Sequence, residues 1–164
     1  MAVKINTTIN GKKFCLEVKP NAMLNDVLRA AGYKSVKFGC GEGMCGACAV
    51  MINGKPRNSC ITLAGLAEGA EILTVEGMGT PEDPHALQQA FVDSGSTQCG
   101  FCNPGSLLAA KALLDSNPNP TIDQVKDALD GNLCRCTGYV KRIDAVLTAA
   151  KAMGKTKKTA RGKK

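Results

Sequence analysis

Eight of the nine cysteines in this 164-residue chain fall into two quartets, and grouped thiols in a reducing setting read as metal ligands. Cys40, Cys45, Cys48 and Cys60 are spaced C-x4-C-x2-C, with eleven residues before the fourth. Cys99, Cys102, Cys134 and Cys136 read C-x2-C and C-x-C across a gap of 31 residues. Only Cys15 stands outside them. The first spacing is the plant-type pattern for a [2Fe–2S] cluster, in which each of two tetrahedral irons takes two thiolates beside the bridging sulfides. Residues 38–48 (FGCGEGMCGAC) also carry Gly39, Gly41, Gly43 and Gly46. Backbone without a Cβ can wrap closely around such a group and point amides at its sulfurs. Cys60 would close this site from the far side of an Asn53-Gly54 hairpin. A structural zinc site is the competing reading, but zinc ribbons favour two C-x2-C knuckles over an x4 gap with four glycines.

The second quartet is less familiar as a spacing. Cys99 and Cys102 precede a helix opening at Pro104, and Cys134 and Cys136 precede one opening near Val140. Two helix N-termini would then converge on one anionic group, where free N–H groups and positive dipole ends favour negative charge. From the residues alone, an iron–sulfur cluster and a zinc ion both suit these four thiolates.

The elements that must position these loops are legible from pattern. Val3, Ile5 and Ile9 alternate on one strand, Asn10-Gly11 makes a type I′ turn, and Phe14, Leu16 and Val18 alternate on a second strand. Residues 22–31 read as a helix stopped by Gly32, residues 47–52 and 72–75 as further strands. The outline is that of a β-grasp. Gly- and Pro-rich residues 77–84 mark a boundary, and helical signals follow. A helix capped by Asp83-Pro84 runs to Gly95, a second runs from Asn103-Pro104 to about Asp115, and a third is boxed by Thr121 and Gln124. A fourth runs from about Val140 to Gly154. The expectation is an α+β chain, with a β-grasp domain over residues 1–77, a four-helix domain over 78–154 and a flexible basic tail over 155–164.

The net charge of +7 belongs to that tail, which holds Lys155, Lys157, Lys158, Arg161, Lys163 and Lys164 and no acid. The remainder is close to neutral and has two Tyr, four Phe and no Trp. A nucleic-acid-binding module is therefore not expected. No apolar run approaches the ~18 residues that span a bilayer, and residues 1–20 lack the features of an export signal. A cytoplasmic protein without membrane insertion is expected.

The strings QCGFCNPG (98–105) and GNLCRCTGY (131–139), following the FGCGEGMCGAC loop, resemble the small iron–sulfur subunit or domain of the molybdenum hydroxylases, the xanthine dehydrogenase, aldehyde oxidoreductase and carbon monoxide dehydrogenase family. The resemblance covers about residues 3–152. It implies a β-grasp ferredoxin-like domain followed by a four-helix domain, with one [2Fe–2S] cluster in each and all eight grouped cysteines as ligands. It implies a large partner subunit with a molybdopterin-type molybdenum cofactor and a medium subunit with FAD, together in a hetero-oligomer. Substrate would be hydroxylated at molybdenum, and electrons would pass to the helical-domain cluster, then to the other cluster, then to flavin or another acceptor. Gln98 and the turn around Cys136 match family positions that contact the pterin. Substrate, whether a purine, an N-heteroaromatic, an aldehyde or carbon monoxide, would be chosen in another chain. Asn103 and Ser106 depart from the Thr and Met usual in the family; neither is a ligand position, and the change could alter the local potential.

Other residues carry plainer readings. His85 reads as a solvated first-turn residue, Cys15 as a packed or surface thiol, and Phe101 and Tyr139 as packing beside the loops. Arg135, between two ligand positions, suits either a cluster charge or an interface pair. No nucleophile–base arrangement, phosphate loop or paired carboxylate appears, so catalysis by this chain alone is not expected. A diffusible carrier would need only the first half. Deleting residues 155–164 removes no candidate ligand or apolar residue of a periodic face. Visible spectra of the truncated protein should match those of the full chain, and a loss of metal chromophore would show that the tail belongs to the working structure.

Overall fold

The structure, a computed structural model, describes the backbone of residues 2–161 and the side chains of residues 2–154. Strands β1 (Val3–Ile9) and β2 (Lys12–Val18) form an antiparallel hairpin in which Val3 faces Val18 and Ile9 faces Lys12. Asn10 and Gly11 take φ of 50° and 78°, the left-handed pair that a type I′ turn requires. Ile5, Thr7 and Ile9 point inward, and the Thr7 hydroxyl is satisfied by the Ala70 carbonyl at 2.8 Å. Cys15 lies on the opposite, exposed face of β2.

Helix α1 (Leu24–Ala30) is shorter than the 22–31 expected. Met23 stays extended because it bridges to Leu63, so the helix can begin only after it. Strands β3 (Ala49–Ile52) and β4 (Lys55–Asn58) form the second hairpin across Asn53-Gly54, and β5 (Glu71–Leu73) completes the sheet. The order is β2-β1-β5-β3-β4, with β5 parallel to β1 and antiparallel to β3. β5 ends before the expected Val75. The Thr74 amide donates to the Asn10 side chain at 2.8 Å, and a 3-10 turn over Val75–Gly77 follows.

Four more helices follow: α2 (Ala86–Asp93), α3 (Asn103–Ser116), α4 (Ile122–Leu129) and α5 (Val140–Arg161). α2 begins later than a cap at Asp83 would place it. His85 is its N-cap: its Nδ1 accepts from the Leu87 amide at 3.2 Å, while Gln88 reaches back to the His85 amide at 2.8 Å. The histidine expected to be a solvated first-turn residue thus satisfies one orphan donor, and Gln88 in return satisfies the His85 amide. Thr121 and Gln124 box the start of α4 as expected. α5 continues past Gly154, at which the periodicity predicts an end; one glycine costs a helix only about 1 kcal/mol. The side chains of 155–161 and all of 162–164 lie outside the described residues, and so does the expected flexibility of the tail.

Apolar burial divides in the same way as the secondary structure. Leu87, Phe91, Leu114, Val125, Leu129 and Val146 pack among α2–α5. Ile9, Leu24, Leu28, Val50 and Ile72 pack between sheet and α1, with a small cluster of Ile5, Val18 and Ala64 beside them. α3 also packs against β3 and β4, so the helical layer lies on the edge of the sheet that leads into the first cysteine loop. No helix among the described residues is long and apolar enough to cross a membrane.

Thr121→Ala removes one of the two reciprocal bonds that start α4 and should cost about 1 kcal/mol. Phe91→Ala, at a site 1% exposed in the helical core, should cost roughly 3–5 kcal/mol. Denaturant unfolding of the two variants checks both the size and the ranking.

Candidate metal centres

The first cysteine loop spans the distance from α1 to β3 and is pinned at several points by side-chain amides. Asn25, fully buried on α1, donates to the Lys37 carbonyl at 3.1 Å, and Asn58 donates to the Gly43 carbonyl at 2.6 Å. Cys48 sits one residue before β3, and Cys60 lies in the 3-10 turn Ser59–Ile61 that follows β4. The Ser59 hydroxyl donates to the Cys48 carbonyl at 2.7 Å, which ties these two together. The four thiols stand as two neighbouring pairs, Cys40 with Cys45 and Cys48 with Cys60, each close enough to bias its partner's ionisation.

The electrostatics of the pairs differ. Cys40 is exposed, and amide N–H groups directed at its sulfur, from Glu42 first and then Cys45, lower its thiol to about 6. The Glu42 N to Cys40 Sγ distance is 3.4 Å. Burial, aided by the neighbouring Cys48, pushes Cys60 up to about 11. The loop therefore welcomes a thiolate at its rim, while its base needs a positive centre to draw the proton off. Space is equally specific. A Cβ on Gly39 would lie 2.7 Å from Cys45 Sγ, so any side chain there would drive into the sulfur.

The second quartet is also paired, Cys102 with Cys134 and Cys99 with Cys136, the latter sulfurs 3.6 Å apart. Cys102 is buried and caps α3; Cys99 and Cys136 are exposed. Burial pushes Cys134 up, but bonds from the Thr137 hydroxyl, at 3.2 Å, and from the Thr137 and Cys136 backbone outweigh it and hold the thiol at about 7. Cys99 is lowered, first by the Phe101 amide. Cys102 is raised by burial, against the pull of Arg142, whose Nη2 lies 2.6 Å from its sulfur. The expected site residues Gln98 and Cys136 meet: Gln98 Nε2 donates to the Cys136 carbonyl at 3.1 Å, on an exposed face.

Among the described residues no three Cys, His, Asp or Glu gather as around a single ion. Thiols standing two by two, with amides aimed at the sulfurs and no room for a Cβ beside one of them, fit the donor set of a two-iron cluster at each site. The two loops also touch. The Leu133 amide donates to the Cys45 carbonyl at 3.0 Å, and buried Asn132 donates through Nδ2 to the Gly46 carbonyl at 3.2 Å.

Several of these residues escape sequence reasoning. The Tyr139 hydroxyl, read there as packing, accepts from the Cys134 amide at 2.8 Å. Its place in the GNLCRCTGY string was the available signal. Asn132 and Thr137 flank the cysteines in the same string, whereas Arg142, on a helix with apolar periodicity at Ile143 and Val146, gave none.

Residues 7–73 match the family described as "2Fe-2S iron-sulfur cluster binding domain", and residues 74–147 match "[2Fe-2S] binding domain". The nicotinate dehydrogenase small FeS subunit of Eubacterium barkeri is 49% identical over 145 residues, covering 88% of this chain and 92% of that one. The xanthine dehydrogenase iron-sulfur-binding subunit of Escherichia coli O157:H7 is 44% identical, covering 91% and 95%. A chain in the crystal structure of quinoline 2-oxidoreductase from Pseudomonas putida 86 superposes with a TM-score of 0.90 at 44% identity, covering 94% of this chain and 97% of that one.

Gly46 takes φ of 67°, and a Cβ there would press into the Gly131 carbonyl and the Asn132 amide. Gly46→Ala should therefore separate the two loops and cost more than the ~1 kcal/mol of a left-handed alanine alone. Thermal unfolding and amide exchange at Leu133 measure the two effects.

Proposed function

Since this chain belongs to the small iron–sulfur subunits of the molybdenum hydroxylases, and so is the electron-transfer component of an oxidoreductase with partner subunits, we propose that its eight paired cysteines hold two [2Fe–2S] clusters in a short relay. Cys40, Cys45, Cys48 and Cys60 hold the first, in a β-grasp domain of residues 1–77. Cys99, Cys102, Cys134 and Cys136 hold the second, in a four-helix domain of residues 78–154. When bound, each cluster takes up and gives back one electron. The thiol pairing divides the ligands between irons: Cys40 with Cys45, Cys48 with Cys60, Cys99 with Cys136, Cys102 with Cys134.

The observation that carries this reading is the pairing of thiols in two loops that share a hydrogen bond. Cys45 and Leu133, the neighbour of Cys134, join one ligand loop to the other through a single N–H···O contact of 3.0 Å. On the far side, exposed Cys99, Cys136 and Gln98 form the face turned to a large partner. There Gln98 and the Cys136 turn are positioned to contact a molybdopterin-type cofactor held by that partner. Electrons then move from that partner through the second loop to the first, and onward to a medium subunit with FAD or to another acceptor. The setting is a cytoplasmic hetero-oligomer, with no nucleic acid and no membrane insertion. Substrate is selected in the large partner, as a purine, an N-heteroaromatic, an aldehyde or carbon monoxide.

The purified complex should contain roughly four iron and four sulfide per copy of this chain, from two clusters. Stoichiometric zinc without labile sulfide would reject the reading. Cys45→Ser should abolish one paramagnetic cluster signal and Cys134→Ser the other. Loss of both signals from either change in a folded complex would overturn the assignment of separate sites.

A further inference from the structure

We propose that Arg142 sets the reduction potential of the second cluster, by holding a buried positive charge against the sulfur of Cys102. This rests on the reading that Cys102 is a cluster ligand. Arg142 is the largest of the fully buried side chains, 1% exposed, and it comes from the first turn of α5. Its Nη2 lies 2.6 Å from Cys102 Sγ and 3.3 Å from Asn103 Oδ1; its Nη1 donates to the Ser106 hydroxyl at 2.9 Å. Its Nε has no partner.

Charge balance gives these contacts their meaning. The ion pairs among the described residues are Lys111–Asp115 and Lys126–Asp123, each within one helix and neither involving Arg142. Asn103 and Ser106 offer neutral oxygens. The sulfur of Cys102 is therefore the one group in contact with the guanidinium that can carry a formal negative charge. A buried guanidinium without such a counterpart is strongly disfavoured, so the side chain is built to face a thiolate in a metal-bound state. A cluster with four thiolates is anionic, and reduction adds one more negative charge. A cation and an N–H···S contact at a ligand sulfur stabilise the more negative form more, which raises the potential.

Asn103 and Ser106, the two departures from the usual Thr and Met, both touch this guanidinium. A thioether at 106 is only a weak acceptor and would leave Nη1 without its bond. Ser106 is completely buried, so water could not replace it. The two departures and the arginine thus act as one unit, two neutral acceptors steering a charge onto Cys102.

The test is a redox titration of both clusters by paramagnetic resonance, in the intact complex, with iron and sulfide measured in every sample. Arg142→Met removes the charge while keeping a long side chain. It should shift the reduction equilibrium of the second cluster toward the oxidised form tenfold or more, about 59 mV for one electron, and leave the first cluster within twofold. Arg142→Lys should recover at least half of that shift. Ser106→Ala keeps the arginine but frees Nη1, and should shift the same equilibrium in the same direction by at least twofold. If Arg142→Met does not assemble, Ser106→Ala decides. A fully loaded variant whose second cluster stays within twofold of the wild type overturns the proposal, as does an equal shift of both clusters. Wild-type protein lacking iron and sulfide overturns instead the ligand reading on which it rests.

Discussion

The contact between the Cys45 carbonyl and the Leu133 amide is the point on which the rest of the architecture converges. A loop wrapped around a metal group spends its own amides on sulfur and leaves carbonyls facing outward. A buried carbonyl without a donor is costly. The first loop meets this by directing the carbonyls of Cys45 and Gly46 into the second loop, where the Leu133 amide and the Asn132 side chain donate to them. Gly46 and Gly105 have no Cβ at the place where the backbones come together, and a Cβ on either would collide with the opposite chain. Packing of α3 on β3 and β4 then holds the loops at that spacing. Two separately buried cores are thereby joined through their two cysteine loops.

Exposure follows the same logic. Cys48, Cys60 and Cys102 are buried, whereas Cys40, Cys99 and Cys136 are exposed. In the second site the exposed pair lies beside Gln98, and the buried member lies at the start of α3 among the helices. From the exposed pair to Cys102 the surroundings change from solvent to packed helix. Low dielectric strengthens every local charge and dipole there. This explains why a single buried guanidinium can matter at the second site while Arg135, directly between two cysteines, lies exposed to water that screens its charge.

Most of the sheet was legible because its signals are local. Asn10-Gly11 and Asn53-Gly54 need only left-handed φ in adjacent residues, and both hairpins form where those pairs lie. The ends of elements were not legible, because tertiary contacts set them. Met23 is held extended by Leu63, and Thr74 is drawn out of the ladder by Asn10, 64 residues away in sequence. His85 shows the same limit in a cap: Asp83-Pro84 is the stronger local signal, but the Gln88 side chain is within reach of the His85 amide, and the pair defines the start of α2. At the site, spacing located all eight paired cysteines. It could not say which cysteine stands beside which, since Cys99–Cys136 and Cys102–Cys134 cross between two strings separated by a full helix pair.

The two loops surround chemically similar sulfurs with different kinds of positive potential. In the first, the sulfur of Cys40 is served by amide dipoles from Glu42 and Cys45, which carry no net charge and belong to the loop itself. In the second, amides from Phe101 and Thr137 are joined by a full charge that Arg142 delivers to Cys102 from 40 residues further along the chain. Dipoles lose strength with distance faster than charges do, so they act on a single sulfur, whereas a buried charge acts on the whole group beside it. Loop sequence alone can therefore adjust the environment of the Cys40 sulfur, because the amides that serve it lie within the C-x4-C-x2-C segment. The second site is adjustable from outside its cysteine strings, through the bonds that Arg142 of α5 makes to Asn103 and Ser106 of α3. That is why the amides around Cys40 can be read from the first motif, while the strongest electrostatic feature of the second loop is found only in three dimensions.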